Sequence, residues 1–592
     1  MPVSNEFLSK NTMPTMPIAL YSSEQLYAME QAWFAQGNSS FALMQQAAWQ
    51  MVQHIELLYE DKYLSKHVSD KGVVSRSNIS LRRASIWVGT GNNGGDGWLI
   101  AYYLQRKGWQ VQVTAIGFEE HDFFIKDNSQ SSHDNENKKS ITDATKALQL
   151  ALSADCEYHC FENSDNNASE TSIKALQAEI YIDAIFGIGF NRAPSDIYQQ
   201  AICAFNEAAQ EAQALVIAVD IPSGLVASTG QVFDRIAIQA DVTLCLIARK
   251  FGLHTKDGLD YSVAVIDIPL IPHLAGEKTL LPIATLINAP YQLKPRRQNS
   301  HKGSYGHVLI IGGNRIDGSQ GMGGAAILSA SSAMAAGTGK ITVACHKAFH
   351  GALLTSLPDA MSIDLHDTEG VKRLVKDASV IAIGMGLGRD AKAKLLFIEY
   401  LQAAIVEGKP IVIDADGLYH LASLYRENHK LITALKSHSL NYQVCLTPHS
   451  GEAARLLNKK VDEIENDRLA AIRECSAVYG GDWVLKGAGS LILEQQLVQT
   501  HIYVCGVGNA GMASAGMGDV LAGVIAGLLA QEDLEQMQRS LKQAVMIHGL
   551  AGDVLVNQTT NNHAFIIGQR GLQAQDMPTA IRHVMQLITD SL

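Results

Sequence analysis

The sequence predicts an α/β protein in two domains, each a parallel sheet covered by helices. Three observations carry that expectation: short β-rich runs alternate with longer helix-like stretches from about residue 84, prolines crowd into residues 269–295, and a second alternating series begins near His307. In the first half, strands are expected at 85–88, 111–116, 180–185, 214–219, 242–246 and 263–268, with helices at 97–107 and 195–212. Residues 121–140, rich in Asp, Asn, Ser and Lys, interrupt the rhythm as a polar surface excursion without a catalytic role. Five of the 14 prolines fall at 269–295, which sets the domains at 18–275 and 298–592 with a proline-rich linker, 276–297, between them. Second-half strands are expected at 308–311, 341–344, 380–383, 411–413, 444–447 and 483–485, and helices at 324–336, 391–407, 451–457, 467–478, 519–530 and 540–556. No fixed-period repeat relates the halves.

Composition narrows the function. Of the 592 residues, 47 are Lys or Arg and 59 Asp or Glu, a net charge of -12 that argues against a nucleic-acid backbone as the main partner. The longest apolar run, 520–530, is about half of the ~20 residues a membrane-spanning helix needs, so a soluble chain without a membrane partner is expected. The N-terminus lacks a basic patch followed by an apolar run, so no secretory signal is expected. Eight scattered cysteines, of which only Cys156 and Cys160 are close, read as reduced thiols in a cytoplasm.

The strongest motif of the first half is Gly89-Thr90-Gly91-Asn92-Asn93-Gly94-Gly95-Asp96-Gly97, between an expected strand and an expected helix. Its glycines let backbone approach a ligand, and the N–H groups of a helix start suit a phosphate. Asp183 ends a strand and leads into Gly187-Ile188-Gly189-Phe190-Asn191-Arg192-Ala193, a second glycine loop with a cation. Asp220 ends the next strand in a turn with Ser223 and Gly224. In open α/β sheets such strand ends converge on the ligand; the alternative is that Asp183 and Asp220 cap helices.

These residues resemble the NAD(P)H-hydrate epimerases, over roughly residues 18–270. The resemblance implies a Rossmann-like fold, a substrate that is NADH or NADPH hydrated at C6 of the nicotinamide, and a potassium ion held by Asn93, Asp183 and Ser223. It also implies that Asn92 to Asp96, Gly187 to Ala193 and Asp220 line the substrate site. Inversion at C6 needs a carboxylate to move a proton, and Asp183 is the first choice. Lys250-Phe251-Gly252-Leu253 continues the likeness, while Gln45 stands where the family often has Glu.

In the second half, Asn509-Ala510-Gly511-Met512-Ala513-Ser514-Ala515-Gly516-Met517-Gly518-Asp519 runs straight into an apolar helix. It offers an anion hole for a transferred phosphate and, in Asp519, a base. His449-Ser450-Gly451-Glu452-Ala453 follows a strand, and Lys486-Gly487-Ala488-Gly489-Ser490 supplies a cation and glycine N–H groups. Asp414 and Asp416 end another strand, either both facing substrate or one facing and one capping. Together with His301-Lys302-Gly303 and the run Gly384-Met385-Gly386, these motifs resemble the ribokinase-like ADP- or ATP-dependent NAD(P)H-hydrate dehydratases. The resemblance implies ADP binding by Lys486 to Ser490 and Asn509 to Gly518, with magnesium. It implies hydrate contact by Gly386, His449 to Ala453 and Asp519. Met385, Met517, Asp359 and Ser490 depart from the residues usual in the family, and Ser490 keeps a hydroxyl.

The resulting expectation is a bifunctional repair enzyme acting on small molecules, the NADH and NADPH hydrates and ADP. Two alternatives stand beside it. One is a ribokinase-like kinase for a small vitamin-type alcohol, the other a non-catalytic binding module in the first domain. The oligomeric state, a homo-oligomer included, is left open.

Overall fold

The computed structural model describes residues 16–64, 82–123, 141–162, 177–271, 281–315, 321–495, 500–556 and 567–590. The polar excursion at 121–140 lies almost wholly outside them. The chain divides into two compact units whose main bodies are Ile18–Ile283 and Ala284–Leu592.

In the first unit a short strand β1 (Ile18–Leu20) precedes a seven-stranded sheet. Its strands are β2 (Arg83–Val88), β3 (Gln110–Ala115), β4 (Glu157–Cys160), β5 (Ile180–Ala184), β6 (Leu215–Val219), β7 (Ala240–Leu246) and β8 (Ser262–Ile268). All pair in parallel in the order β4-β3-β2-β5-β6-β7-β8. β5 and β6 are buried at every position, as continuous Val/Ile-rich strands covered on both faces must be. β4, with two exposed residues and one Tyr among Glu, His and Cys, carries too little apolar signal to be seen in the sequence. The order reverses between β2 and β5, which opens a crevice at their carboxyl ends.

One expected boundary is corrected. The helix after β2 runs Asn92–Arg106 with Gly91 as N-cap, so the paired asparagines open its first turn and Asp96 follows in the second, all within the helix and not in a preceding loop. Side chains explain the glycines within it. A Cβ on Gly94 would lie 1.8 Å from the Gly89 carbonyl oxygen, and one on Gly97 2.6 Å from Val88 and Ala184. These positions press the helix onto the strands, whereas a Cβ on Gly91 would meet nothing within 4 Å.

The second unit is a larger sheet. Its strands are β9 (Ala284–Ile287), β10 (His307–Ile311), β11 (Lys340–Cys345), β12 (Met361–Asp364), β13 (Val380–Ile383), β14 (Ile411–Ile413), β15 (Val444–Leu446), β16 (Asp482–Leu485), β17 (Leu491–Gln495) and β18 (Thr500–Cys505). They run in the order β9-β18-β17-β16-β15-β14-β13-β10-β11-β12. Pairing is parallel from β12 to β16, antiparallel through β17 and β18, and parallel again to β9. Residues 284–287, inside the stretch expected as linker, are thus a strand of this unit. The helix Met517–Leu529 is buried nearly all round and sits on the helix Gly323–Ala335. A Cβ on Gly523 would lie 2.2 Å from the Ser329 carbonyl oxygen and one on Gly527 2.6 Å from that of Ala333. Those two glycines are packing residues; Gly516, where a Cβ would lie 2.7 Å from Leu328 and 2.9 Å from Ala574, combines tight packing with a left-handed backbone, whereas a Cβ on Gly518 would meet the side chains of Lys486 and Asp414.

Candidate functional site

In the first unit the glycine motif after β2, Asp183 in β5 and Asp220 after β6 meet at the crevice. Asp183 is fully buried. Its Oδ2 accepts from the Ser223 backbone N–H at 2.7 Å, and its Oδ1 from the Ser223 hydroxyl at 2.6 Å and the Ile185 N–H at 3.1 Å. Burial pushes its carboxyl up to about 6 against the pull of those donors. The Phe186 N–H donates to the Ser223 hydroxyl at 2.8 Å, and the Asn93 side-chain amide donates to the Phe186 carbonyl at 2.9 Å. Asn93, Asp183 and Ser223 are therefore one connected cluster, and neither aspartate caps a helix.

Asp220 sits at φ 69, a left-handed backbone, and pairs with the buried Lys250 while accepting from the Leu246 N–H at 3.0 Å. Lys250 also donates to the Leu246 carbonyl at 2.8 Å. Asp96 is buried too, and burial followed by the charges of Asp220 and Glu30 raises its carboxyl well above the usual range. Glu30, from the helix Ser23–Ala35, is itself pushed up to about 6 by burial and then by Asp220. The site thus holds an ion-paired carboxylate beside two carboxyls whose surroundings favour the protonated acid. Glu30 escaped sequence reasoning because a glutamate on an amphipathic helix looks like any solvated one. The loop residues Asn191, Arg192 and Ala193 are exposed and Gly189 is open, with no atom within 4 Å of its Cβ position.

In the second unit the chemistry gathers where β14, β15 and β16 end. Lys486 donates to Asp414 at 2.9 Å and stands 3.8 Å from Glu452. Burial alone would lower the Lys486 ammonium, but Asp414, Glu452 and Asp519 hold it above its ordinary value. A Cβ on Gly518 would lie 2.9 Å from the Lys486 Nζ and 3.2 Å from Asp414. The missing side chain therefore leaves the ammonium open beside the helix start, where Gly516 is the N-cap at φ 90. Asp519, in the first turn, is pushed up to about 7 by burial and then by Asp414.

The two aspartates of β14 divide their work. Asp414 faces Lys486, while Asp416 accepts from the Gly388 N–H at 2.8 Å and from Arg389 at 2.6 Å, pinning the loop that contains Gly386. Ala415 between them has φ 52 and ψ -118, a strained backbone of the kind that collects at functional sites. His449 caps the helix Ser450–Leu457: its Nδ1 accepts from the Gly451 N–H at 3.0 Å, and its backbone N–H donates to Glu452 at 2.9 Å. Its ring is 60% exposed, so the capping role leaves a face toward solvent. Ser450 is hydrogen-bonded to Glu465, and Ala453 is buried.

Two supports were not seen in the sequence. The turn Lys486 to Ser490 is closed by the Ser490 hydroxyl on the Gly487 carbonyl at 3.0 Å, and the buried Arg468 holds it from below. The Arg468 guanidinium donates to the carbonyls of Ala488 at 2.7 Å and Leu485 at 3.1 Å. Asp553 accepts from the Gly508 N–H at 2.8 Å and the Asn509 amide at 3.0 Å, and so fixes the start of the glycine run. Arg468→Ala is expected to cost at least about 2 kcal/mol in urea unfolding, since it leaves the buried Leu485 and Gly489 carbonyls without this donor.

A Rossmann-like sheet with a glycine-rich helix start, followed by a ribokinase-like sheet whose GxGD helix start faces a lysine, defines a nucleotide-handling enzyme of two α/β units. Family models agree: "NAD(P)H-hydrate dehydratase" matches residues 308–567 and "YjeF-related protein N-terminus" matches residues 40–252. The bifunctional NAD(P)H-hydrate repair enzyme of Vibrio cholerae is 36% identical over 413 residues, covering 69% of this chain and 75% of that protein. That of Moorella thermoacetica is 31% identical over 574 residues, covering 93% and 94%. Among solved structures, a ribokinase-like superfamily protein of Enterococcus faecalis is 29% identical with a TM-score of 0.42, covering 50% of this chain and 93% of that one. The chain belongs to the bifunctional NAD(P)H-hydrate repair enzymes.

No helix among the described residues is long and apolar enough to cross a membrane.

Proposed function

We infer that the first unit interconverts the R and S hydrates of NADH and NADPH, and that the second dehydrates the S form at the expense of ADP. The observation that carries the second activity is the convergence of Lys486, Asp414, Glu452 and Asp519 on the glycine-rich start of the helix at Gly516 to Gly518. Asp519, poised near neutrality, takes the proton of the C6 hydroxyl as its oxygen attacks the terminal phosphorus of ADP and AMP departs. Lys486 and the helix-start N–H groups hold the transferred phosphoryl. Loss of a C5 proton and of the C6 phosphate then restores the ring double bond. The Lys486 to Ser490 turn and the Asn509 to Gly518 run hold ADP, while Gly386 and the His449 to Ala453 segment hold the hydrate. Magnesium with the nucleotide neutralises charge on the phosphates. It needs only one or two carboxylates beside those phosphates, for which Asp414 and Glu452, flanking Lys486, supply oxygens.

In the first unit Asn93, Asp183, Ser223 and the Phe186 carbonyl gather hard oxygen donors with one formal negative charge, a set that fits a potassium ion. The adjoining pair of Asp96, whose burial favours the neutral acid, and Asp220, paired with Lys250, is suited to serve as acid and base for opening and reclosing the C6 hemiaminal. Eight free cysteines suit a reducing cytoplasm, where we place the protein. Absorbance at 340 nm tests both activities. The full chain with potassium, magnesium and ADP is expected to recover all of a mixture of R and S NADH hydrates. Recovery of the S fraction alone would remove the epimerase, and no recovery would favour a small-alcohol kinase.

A further inference from the structure

Beside the expected hydrate contacts lies a pair of arginines that the reaction as described leaves unused. Arg389 follows the Gly386 loop directly. Its Nε is tied to Asp416 at 2.6 Å, yet the side chain is 52% exposed, so the outer edge of its guanidinium faces solvent. Arg455 stands one helical turn after Glu452 on the helix Ser450–Leu457 and is exposed. Among the described residues it has no carboxylate partner. Both guanidinium groups lie over the ring of Tyr419, Arg389 at 5.2 Å and Arg455 at 5.0 Å from its centroid. Tyr419 comes from a third element, the helix Asp416–Arg426, so three separately anchored elements bring two cations to one aromatic ring.

Among the described residues Asp416 is the one carboxylate ion-paired with either arginine, and its oxygens are already engaged by Arg389 and Gly388. The cation–π contact with Tyr419 restrains both side chains and leaves guanidinium N–H groups as donors. Two planar donors gathered about one aromatic ring suit phosphate groups, which each guanidinium can bind through paired N–H groups. The hydrate carries such groups away from its reacting ring: a pyrophosphate in both forms, and a 2′-phosphate in the NADPH form alone.

We propose that Arg389 and Arg455, set against Tyr419, form a subsite for the phosphates of the dinucleotide hydrate and determine how tightly the dehydratase unit holds it. This rests on the dehydratase reading of the second unit. Arg455→Gln, which touches no ion pair, is the first variant; Arg389→Gln, which frees Asp416, is the second. Each is expected to raise the KM for the hydrate roughly tenfold, as loss of a charge-assisted hydrogen bond does; kcat and the KM for ADP should stay unchanged in Arg455→Gln, the variant that leaves the Asp416 anchor of the Gly386 loop intact. Arg455→Lys should recover part of the loss. In the wild type the KM should climb with added salt, and the double variant should lose that dependence. A loss confined to NADPH hydrate assigns the 2′-phosphate, and an equal loss with NADH hydrate assigns the pyrophosphate; either upholds the subsite. An unchanged KM for both hydrates, or a rise in the KM for ADP instead, overturns it. Titration with NADPH, followed by its own fluorescence, reads the same subsite without turnover. Weaker binding by the variants would uphold the subsite even if no dehydration occurred, so failure of the reaction and failure of the subsite are told apart.

Discussion

Asp519→Asn is expected to lower the kcat of dehydration by 10²- to 10⁴-fold, the range over which a positioned general base acts, while leaving epimerisation untouched. The substitution keeps the shape of the side chain. The backbone carbonyl of residue 519, which accepts from the Ser329 hydroxyl at 2.7 Å, is unaffected, so the helix start keeps its seat. The pH profile follows from the raised carboxyl. Burial and the neighbouring Asp414 push Asp519 up to about 7, and only the ionised form takes a proton from the C6 hydroxyl. Hence kcat should rise with pH through about 7 and level off above it, and the residual activity of the variant should lack that limb. Stability runs the other way. A carboxyl whose folded value exceeds its unfolded one favours the folded state at low pH, and that contribution is lost as pH rises through about 7. Asp519→Asn should therefore melt no lower than the wild type at pH 8, while being far less active. A kcat within threefold of wild type would remove Asp519 from the chemistry.

The alternation of strand and helix made the fold class legible because parallel strands covered on both faces, such as Leu215–Val219 and Val308 to Ile311 of His307–Ile311, are unbroken runs of Val, Ile, Leu and Ala. What stayed hidden is what such runs do not mark. Leu491–Gln495 and Thr500–Cys505 form an antiparallel pair in which each strand gives two of its positions to polar residues, Glu494 and Gln495 opposite His501 and Thr500, so that only short apolar runs remain. Glu157–Cys160 is an edge strand, and Ala284–Ile287 lies among prolines that read as a break. In the sites, glycine motifs located the loops but not what each glycine does. Gly94 and Gly97 serve packing while Gly91 and Gly518 leave room, and only the surroundings of the absent Cβ tell them apart. The charges that shape the loops, Arg468, Asp553 and Lys250, lie far along the chain from what they hold, and an isolated Arg or Lys carries no periodicity that marks it as buried. Asp414 and Asp416 were visible as a pair, but only the positions of Lys486 and Gly388 show that one faces the pocket and the other holds a loop.

Asp183→Asn is expected to lower epimerisation at least 100-fold, the lower bound for losing a group that positions or moves a proton, with dehydration of pure S hydrate unchanged. The geometry says how the loss arises. Asp183 is fully buried and its two oxygens already accept three hydrogen bonds, from the Ser223 N–H and hydroxyl and the Ile185 N–H. An amide in its place presents an NH₂ group to at least one of those donors, which leaves a buried donor unpaired at a cost of about 1–3 kcal/mol and removes the negative charge near Asn93 and Phe186. If that charge serves a potassium ion, the variant needs a higher potassium concentration for half-maximal activity, and raising it restores part of the rate. If Asp183 itself moves the proton, potassium restores nothing. Ser223→Ala gives the needed comparison, since it removes a neighbouring oxygen and leaves the carboxylate. A shared loss of potassium affinity in both variants marks an ion site. A loss in Asp183→Asn alone, flat in potassium, marks a base. Partial rescue is the expected result, because a fully buried carboxylate with three donors has little freedom to reach a substrate. Asp220, less enclosed and paired with Lys250, is better placed to meet it.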